Sequence, residues 1–218
     1  MSAIDYLSKS LNQKDDIPNQ ELAVEIIRTK RNEWVQELVG LLKHKDKRIQ
    51  SDSIKVLYEI GERGAADMIA PYCNDFGAVL LSKNNRLVWG GMIALDTITL
   101  VRPQAVYDLL PTIMTTIDHG SVISIDHGVG ILAQLSSLPA YSDTTFPLLL
   151  EQLRKCPAKQ LPVYAEKSVI AINAGRQALF EDLLLSRMPE MERESQQKRL
   201  TKVISKLKKK GFRYIHLP

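Results

Sequence analysis

The residues best equipped for chemistry lie in a short duplication, Ile117-Asp118-His119-Gly120 and Ile125-Asp126-His127-Gly128. Two imidazoles with carboxylates beside them are a donor set that a divalent metal uses. The spacing works against that use. Eight residues along one continuous helix leave the two copies about 80° out of line, and Gly120 predicts a turn between them. The pair therefore reads as a polar turn followed by a helix N-cap, with no metal ligand and no cofactor assigned. A second constellation is Trp89 with Asp96, seven residues apart, which two helical turns bring to one side. Trp89 reads either as an exposed aromatic platform or as partial core. Cys73 and Cys156 belong to no CxxC pair and read as single reduced thiols. The chain has no GxxxxGK(S/T), no GxGxxG, no GxSxG and no HExxH. No catalytic residue is assigned, and a non-catalytic protein is the favoured reading.

The elements that must position these residues repeat. In residues 46–61 the apolar positions Ile54, Leu57 and Ile60 fall at spacings of three, which predicts one face of a helix. Asp46 stands ahead as an N-cap. Gly61 follows as a left-handed closing residue. A partner helix over 34–43 carries Val35, Leu38, Val39 and Leu42 inward. The pattern then recurs, with Ser51, Trp89, Asp126 and Val163 in register at steps of 38, 37 and 37 residues. In that register Leu57, Leu95, Leu132 and Val169 share one column, and Ile60, Ile98, Leu135 and Ile172 a second. A third column is small: Ser53, Gly91, Gly128 and Ala165. Small side chains there let neighbouring helices approach, while the two larger columns fill the layer between repeats.

Residues 41–61, LLKHKDKRIQSDSIKVLYEIG, resemble a HEAT repeat through Asp46, Ile49, Gln50, Leu57, Ile60 and Gly61. The unit over 80–99 keeps Asn84, Leu87, Leu95 and Ile98, and the later two match through the columns alone. Two helices per period of about 37 residues fall close to that class, slightly short of its usual ~40–47. The resemblance covers about residues 32–190 and implies an all-α right-handed superhelix of about four helical hairpins with one concave face. Residues 1–31 are expected to cap it at one end and 191–218 at the other, in a single domain. Among HEAT-like enzymes, deoxyhypusine hydroxylases hold iron through paired His-Glu motifs, and this chain contains no His-Glu dipeptide. HEAT-like DNA glycosylases use a concave face rich in aromatics and Arg. Here the expected inner-face residues Asp52, Lys55, Glu59, Asp96, His127, Gln134, Tyr164 and Lys167 are mixed in sign, unlike a phosphate-tracking groove.

Element by element, helices are expected over 2–11, 19–28, 64–81 with breaks near Pro71 and Gly77, and 89–101. Further helices are expected over 104–117 (with Pro111 inside), 125–138, 144–155 capped by Ser142 or Asp143, 162–174, 177–188 and 192–210. The composition, 44% hydrophobic and 25% charged, is that of a globular chain. No apolar run approaches the ~18 residues of a spanning helix, so a cytoplasmic location is expected. The net charge of +4 is uneven. Residues 193–218 hold nine Lys/Arg against one acid, leaving a body with 20 basic and 24 acidic residues. The tail helix is thus the candidate anion-binding element, through Lys206, Lys208, Lys209, Lys210 and Arg213. The function expected is a scaffold binding a protein or peptide through Lys55, Glu59, Trp89, Asp96, His127, Gln134, Tyr164 and Lys167. The alternative is nucleic-acid binding, of the HEAT-like DNA-repair type or led by the tail.

Overall fold

The structure is a computed structural model and describes residues 2–209. Among the described residues it is helical without a strand. The order is a 3-10 turn Ala3–Tyr6, then α1 (Ile17–Thr29), α2 (Asn32–Leu41), α3 (Lys47–Ile60), α4 (Ala66–Ile69), α5 (Cys73–Val79) and α6 (Asn85–Ile98). There follow α7 (Pro103–Asp108), α8 (Leu110–His119), α9 (Val122–Ser136), α10 (Pro139–Lys155), α11 (Leu161–Ser168), α12 (Ala174–Arg187) and α13 (Glu194–Lys209). Packing divides the chain into two compact units, residues 1–128 and 129–218.

In the first unit α3 is central, packing on α1, α2 and α6. The expected columns are its core: Leu57, Ile60, Leu95 and Ile98 are all fully buried. Asp46 caps α3 as expected, accepting from the Arg48 N–H at 2.8 Å. Gly61 does not close the helix. It keeps helical angles (φ −64°, ψ −49°), and the chain runs through a π turn until Gly64, whose φ of 85° makes the reversal. What Gly61 provides is space, since a Cβ there would lie 2.8 Å from Thr97 Cβ.

Other boundaries shift for local reasons. The first helix of the third hairpin is two pieces, α7 and α8, broken at Leu109, with Pro111 in the first turn of α8 where its missing N–H costs nothing. Gly77 causes no break; it lies inside α5, under the Leu109 side chain. The second helices α6 and α9 begin four and three residues ahead of the expected 89 and 125.

The N-terminal segment is tied down by carboxylates. The 3-10 turn is capped by Glu37 of α2, which accepts from the N–H groups of Ala3 (2.9 Å) and Ile4 (3.1 Å) and from the Ser2 hydroxyl. Asp5 accepts from the Ser2 N–H, as its spacing suggests. The Tyr6 ring lies 5.3 Å from Trp34. Further along, Lys9 N–H donates to Asp52 at 2.7 Å and Ser8 N–H to Asn19 at 2.9 Å. Asn19 is thus a buried anchor and not the N-cap of α1, which starts two residues earlier.

In the second unit α10 and α13 pack on α11, and α12 packs on α10 and α13. Leu132, Leu135, Val169 and Ile172 continue the two columns, all buried. Helix α10 starts at Pro139, so Ser142 is a buried residue inside it and not its cap. Helix α11 ends early, in a 3-10 turn Val169–Ala171, and Asn173 caps α12 by accepting from the Arg176 N–H at 3.1 Å.

Candidate functional site

Helix α6 is seated close to its neighbours by a glycine pair. A Cβ on Gly90 would run into Ile54 of α3, and one on Gly91 would lie 2.7 Å from Val79 Cγ2 and 3.1 Å from the Phe76 carbonyl oxygen. The start of α6 is fixed by Asn84, whose amide donates back to Gln50 Oε1 at 3.1 Å. One residue before the pair stands Trp89, half-buried. Its ring is a wall shared by two depressions in the first unit.

The larger depression has a volume of about 660 Å³. Leu80 and Val88 give it apolar lining, and Thr112, Thr115 and His119 of α8, with Ser121 after them, give it polar lining. No Asp, Glu, Lys or Arg lines it. Leu81 stands at its rim with 80% of its surface exposed. His119 Nδ1 is 3.0 Å from the Thr115 carbonyl, so Nδ1 carries the proton and Nε2 is left as an acceptor. The smaller depression, about 150 Å³, is charged: Asp16, Asp52, Lys55 and Arg86 line it together with Tyr58.

The remaining expected site residues divide into pairs and core. Glu59 is buried and bound by Lys55 at 2.6 Å and Arg63 at 3.0 Å. Lys55 Nζ also sits 4.8 Å from the Tyr58 ring centroid. Burial alone would lower the Lys55 pKa, but Glu59 and Tyr58 outweigh it and hold the ammonium above its usual value. Glu59 is therefore a neutralised strut, not a free groove charge. Asp96 and His127 are likewise joined, at 2.8 Å. The two histidines of the duplication thus stand apart, His119 ending α8 and His127 within α9, each with its own partner.

Gln134 and Lys167 are half-buried residues of the second unit. Tyr164 corrects the expectation of an exposed aromatic: it is 1% exposed and among the largest fully buried side chains. Its register position is glycine in α6, whereas in α11, which packs on α10 and α13, the ring is enclosed. Lys206, Lys208 and Lys209 are exposed on α13, whereas Lys210 and Arg213 lie outside the described residues. Sequence reasoning named Trp89 for a partner site but considered His119 only as a metal ligand, and it did not foresee the depression that both residues line. The signal available was the cluster of threonines at 112, 115 and 116 in the otherwise apolar run 109–117.

No protein-family model matches this chain, and no curated protein matches it. Solved structures do. An engineered protein from a structural-genomics consortium superposes with a TM-score of 0.63 at 16% identity, covering 96% of this chain and 100% of that one. A computationally designed armadillo repeat protein for modular peptide recognition gives 0.61 at 14% identity, covering 85% of each chain. Another designed armadillo repeat protein, solved in complex with the peptide (KR)4, gives 0.62 at 15% identity, again over 85% of each. At such identities the likeness is one of fold. The chain has an all-α helical-repeat fold similar to designed armadillo proteins. Among the described residues no helix is long and apolar enough to cross a membrane.

Proposed function

We propose that this protein is a non-catalytic scaffold that binds a protein or peptide segment through the trough around Trp89. The observation that carries the reading is the placement of one half-buried Trp as the common wall of an uncharged depression and a charged one. Tryptophan in such a setting buries a large apolar area on contact, and it is enriched among residues that dominate binding energy. An apolar side chain of the partner would enter the larger depression, where Thr115 and Thr116, whose hydroxyls donate to the Pro111 and Thr112 carbonyls, keep lone pairs for partner N–H groups, as does His119 Nε2. The fold supports the reading by analogy, since one designed armadillo protein of this fold holds a peptide. The ligand class differs. A trough that combines an uncharged wall with Arg86 and Lys55 beside Asp16 and Asp52 does not favour an all-basic peptide such as (KR)4.

The test is a peptide-display selection on the wild-type chain, followed by rebinding of the selected peptides to Trp89→Ala. The expected result is a consensus with one apolar residue, and at least tenfold weaker rebinding, equivalent to about 1.4 kcal/mol, with an unchanged thermal midpoint. Peptides that rebind Trp89→Ala at full strength would reject the site.

A further inference from the structure

Helix α13 has two faces of opposite character. Leu200, Val203, Ile204 and Leu207 are buried where it packs on α11 and α12. That seal fixes the rotation of the helix about its axis and holds the opposite face in solvent. There Lys198, Lys202, Lys206 and Lys209 are all exposed, at spacings of four, four and three, with exposed Thr201 and Ser205 among them. At 1.5 Å per residue the row is about 17 Å long.

The acids of the second unit that reach α13 are spent on other cations or at the end of the row. Glu166 holds Arg199 through both oxygens, at 2.6 and 2.8 Å. Its charge is felt by Lys202, but no ion pair joins the two. Glu181 lies 4.0 Å from Lys208, on the flank. Glu194 pairs with Lys198 at 2.7 Å. It is the only acid in α13. Lysines four residues apart repel one another and weaken a helix, and acids at alternate positions would serve a purely structural closing helix better. The row keeps that repulsion at Lys198/Lys202 and again at Lys202/Lys206.

We infer that this row is a phosphodiester-binding surface that takes the backbone of a nucleic acid without reading its sequence. Ammonium groups are donors that contact phosphate oxygens, and over about 17 Å a duplex presents about ten phosphate charges. The four lysines offer no bidentate contact to base edges, and Arg199, the one guanidinium of α13, is held by both oxygens of Glu166. A membrane surface fits less well. The apolar face of α13 is already committed to the protein, so nothing on the outward face can enter the headgroup layer.

The test is fluorescence anisotropy of labelled 20-nucleotide single-stranded and duplex DNA with the full chain, at 50 and 200 mM salt. Three unpaired lysines predict roughly 40-fold weaker duplex binding at the higher salt. The triple variant Lys202→Gln/Lys206→Gln/Lys209→Gln is expected to bind at least tenfold more weakly at 50 mM and to lose most of the salt dependence. Its circular dichroism should match wild type and its thermal midpoint should not fall, because all three side chains are exposed and their mutual repulsion is relieved. A matched triple in the first unit, Lys43→Gln/Lys45→Gln/Lys47→Gln, should bind as wild type. The inference is overturned by absent binding at 50 mM salt, by full binding in the α13 triple, or by equal loss in the matched triple. Capture by phosphatidylserine vesicles without DNA binding would overturn it equally.

Discussion

His127 Nδ1 stands 2.8 Å from Asp96 Oδ2, joining α9 to α6 with both side chains about one-fifth exposed. The residue that most resembles a metal ligand in the sequence is therefore a structural cross-brace. Asp96→Ala and His127→Ala should each destabilise the protein by about 1–2 kcal/mol, and the double variant by little more than the larger single. Chemical denaturation of the four species measures the coupling. Strictly additive losses would show that the pair contributes nothing jointly.

Asp52 predicts a pH effect of unusual sign. Burial pushes its carboxyl above the ordinary 3.8, outweighing the Lys9 N–H and Asn19, which pull it down. A folded-state pKa raised above the unfolded one means that ionisation opposes folding. The penalty is absent below the unfolded pKa, grows as pH rises through the folded pKa, and is complete at neutral pH. Asp52→Asn keeps an oxygen for the Lys9 N–H, so it should raise the thermal midpoint at pH 7 and lose that advantage near pH 3. An equal gain at both pH values would assign the effect to something other than ionisation.

Glu37 holds the first turn of the chain by its backbone. Hydrogen bonds to a charged acceptor contribute about 1.5–3 kcal/mol, so Glu37→Ala should cost about 2 kcal/mol. Hydrogen exchange should localise the loss, with the Ala3 and Ile4 amides losing protection before those of α3. Unchanged protection at both amides would contradict the cap.

Two glycines should respond oppositely to alanine. Gly91→Ala forces a methyl against Val79 and the Phe76 carbonyl, an overpacking that costs about 1–3 kcal/mol. Gly40 lies in α2 with nothing within 4 Å of its would-be Cβ, so Gly40→Ala should stabilise by about 0.5–1 kcal/mol. Thermal unfolding of both variants checks the contrast.

The repeat columns were readable because a layer of solenoid core uses the same kind of residue at the same place in each unit. Leu57, Leu95 and Leu132, or Ile60, Ile98 and Leu135, are each fully buried. Periodicity is less informative wherever one residue type has two physical uses. Gly61 serves close approach to Thr97, and the left-handed turn falls to Gly64. Asn19 and Ser142 have capping chemistry but are spent on burial. Tyr164 could not be placed from its own repeat, because an aromatic serves equally as core or as an exposed platform, and here it is core. The depression beside Trp89 arises from the turn after α5, from α6, from α8 and from the start of α9 together, and no single stretch of sequence describes it.

Each compact unit contains one buried cysteine, Cys73 in the first and Cys156 in the second. Burial pushes the Cys73 thiol up to about 11 and raises Cys156 as well, although Arg187 pulls the latter back. Neither sulfur therefore reacts readily while its surroundings are closed. The labelling rate at each thiol becomes a clock for the opening of its own half of the chain, so that Cys73→Ala and Cys156→Ala proteins would time the two halves separately and show whether they loosen together or one before the other.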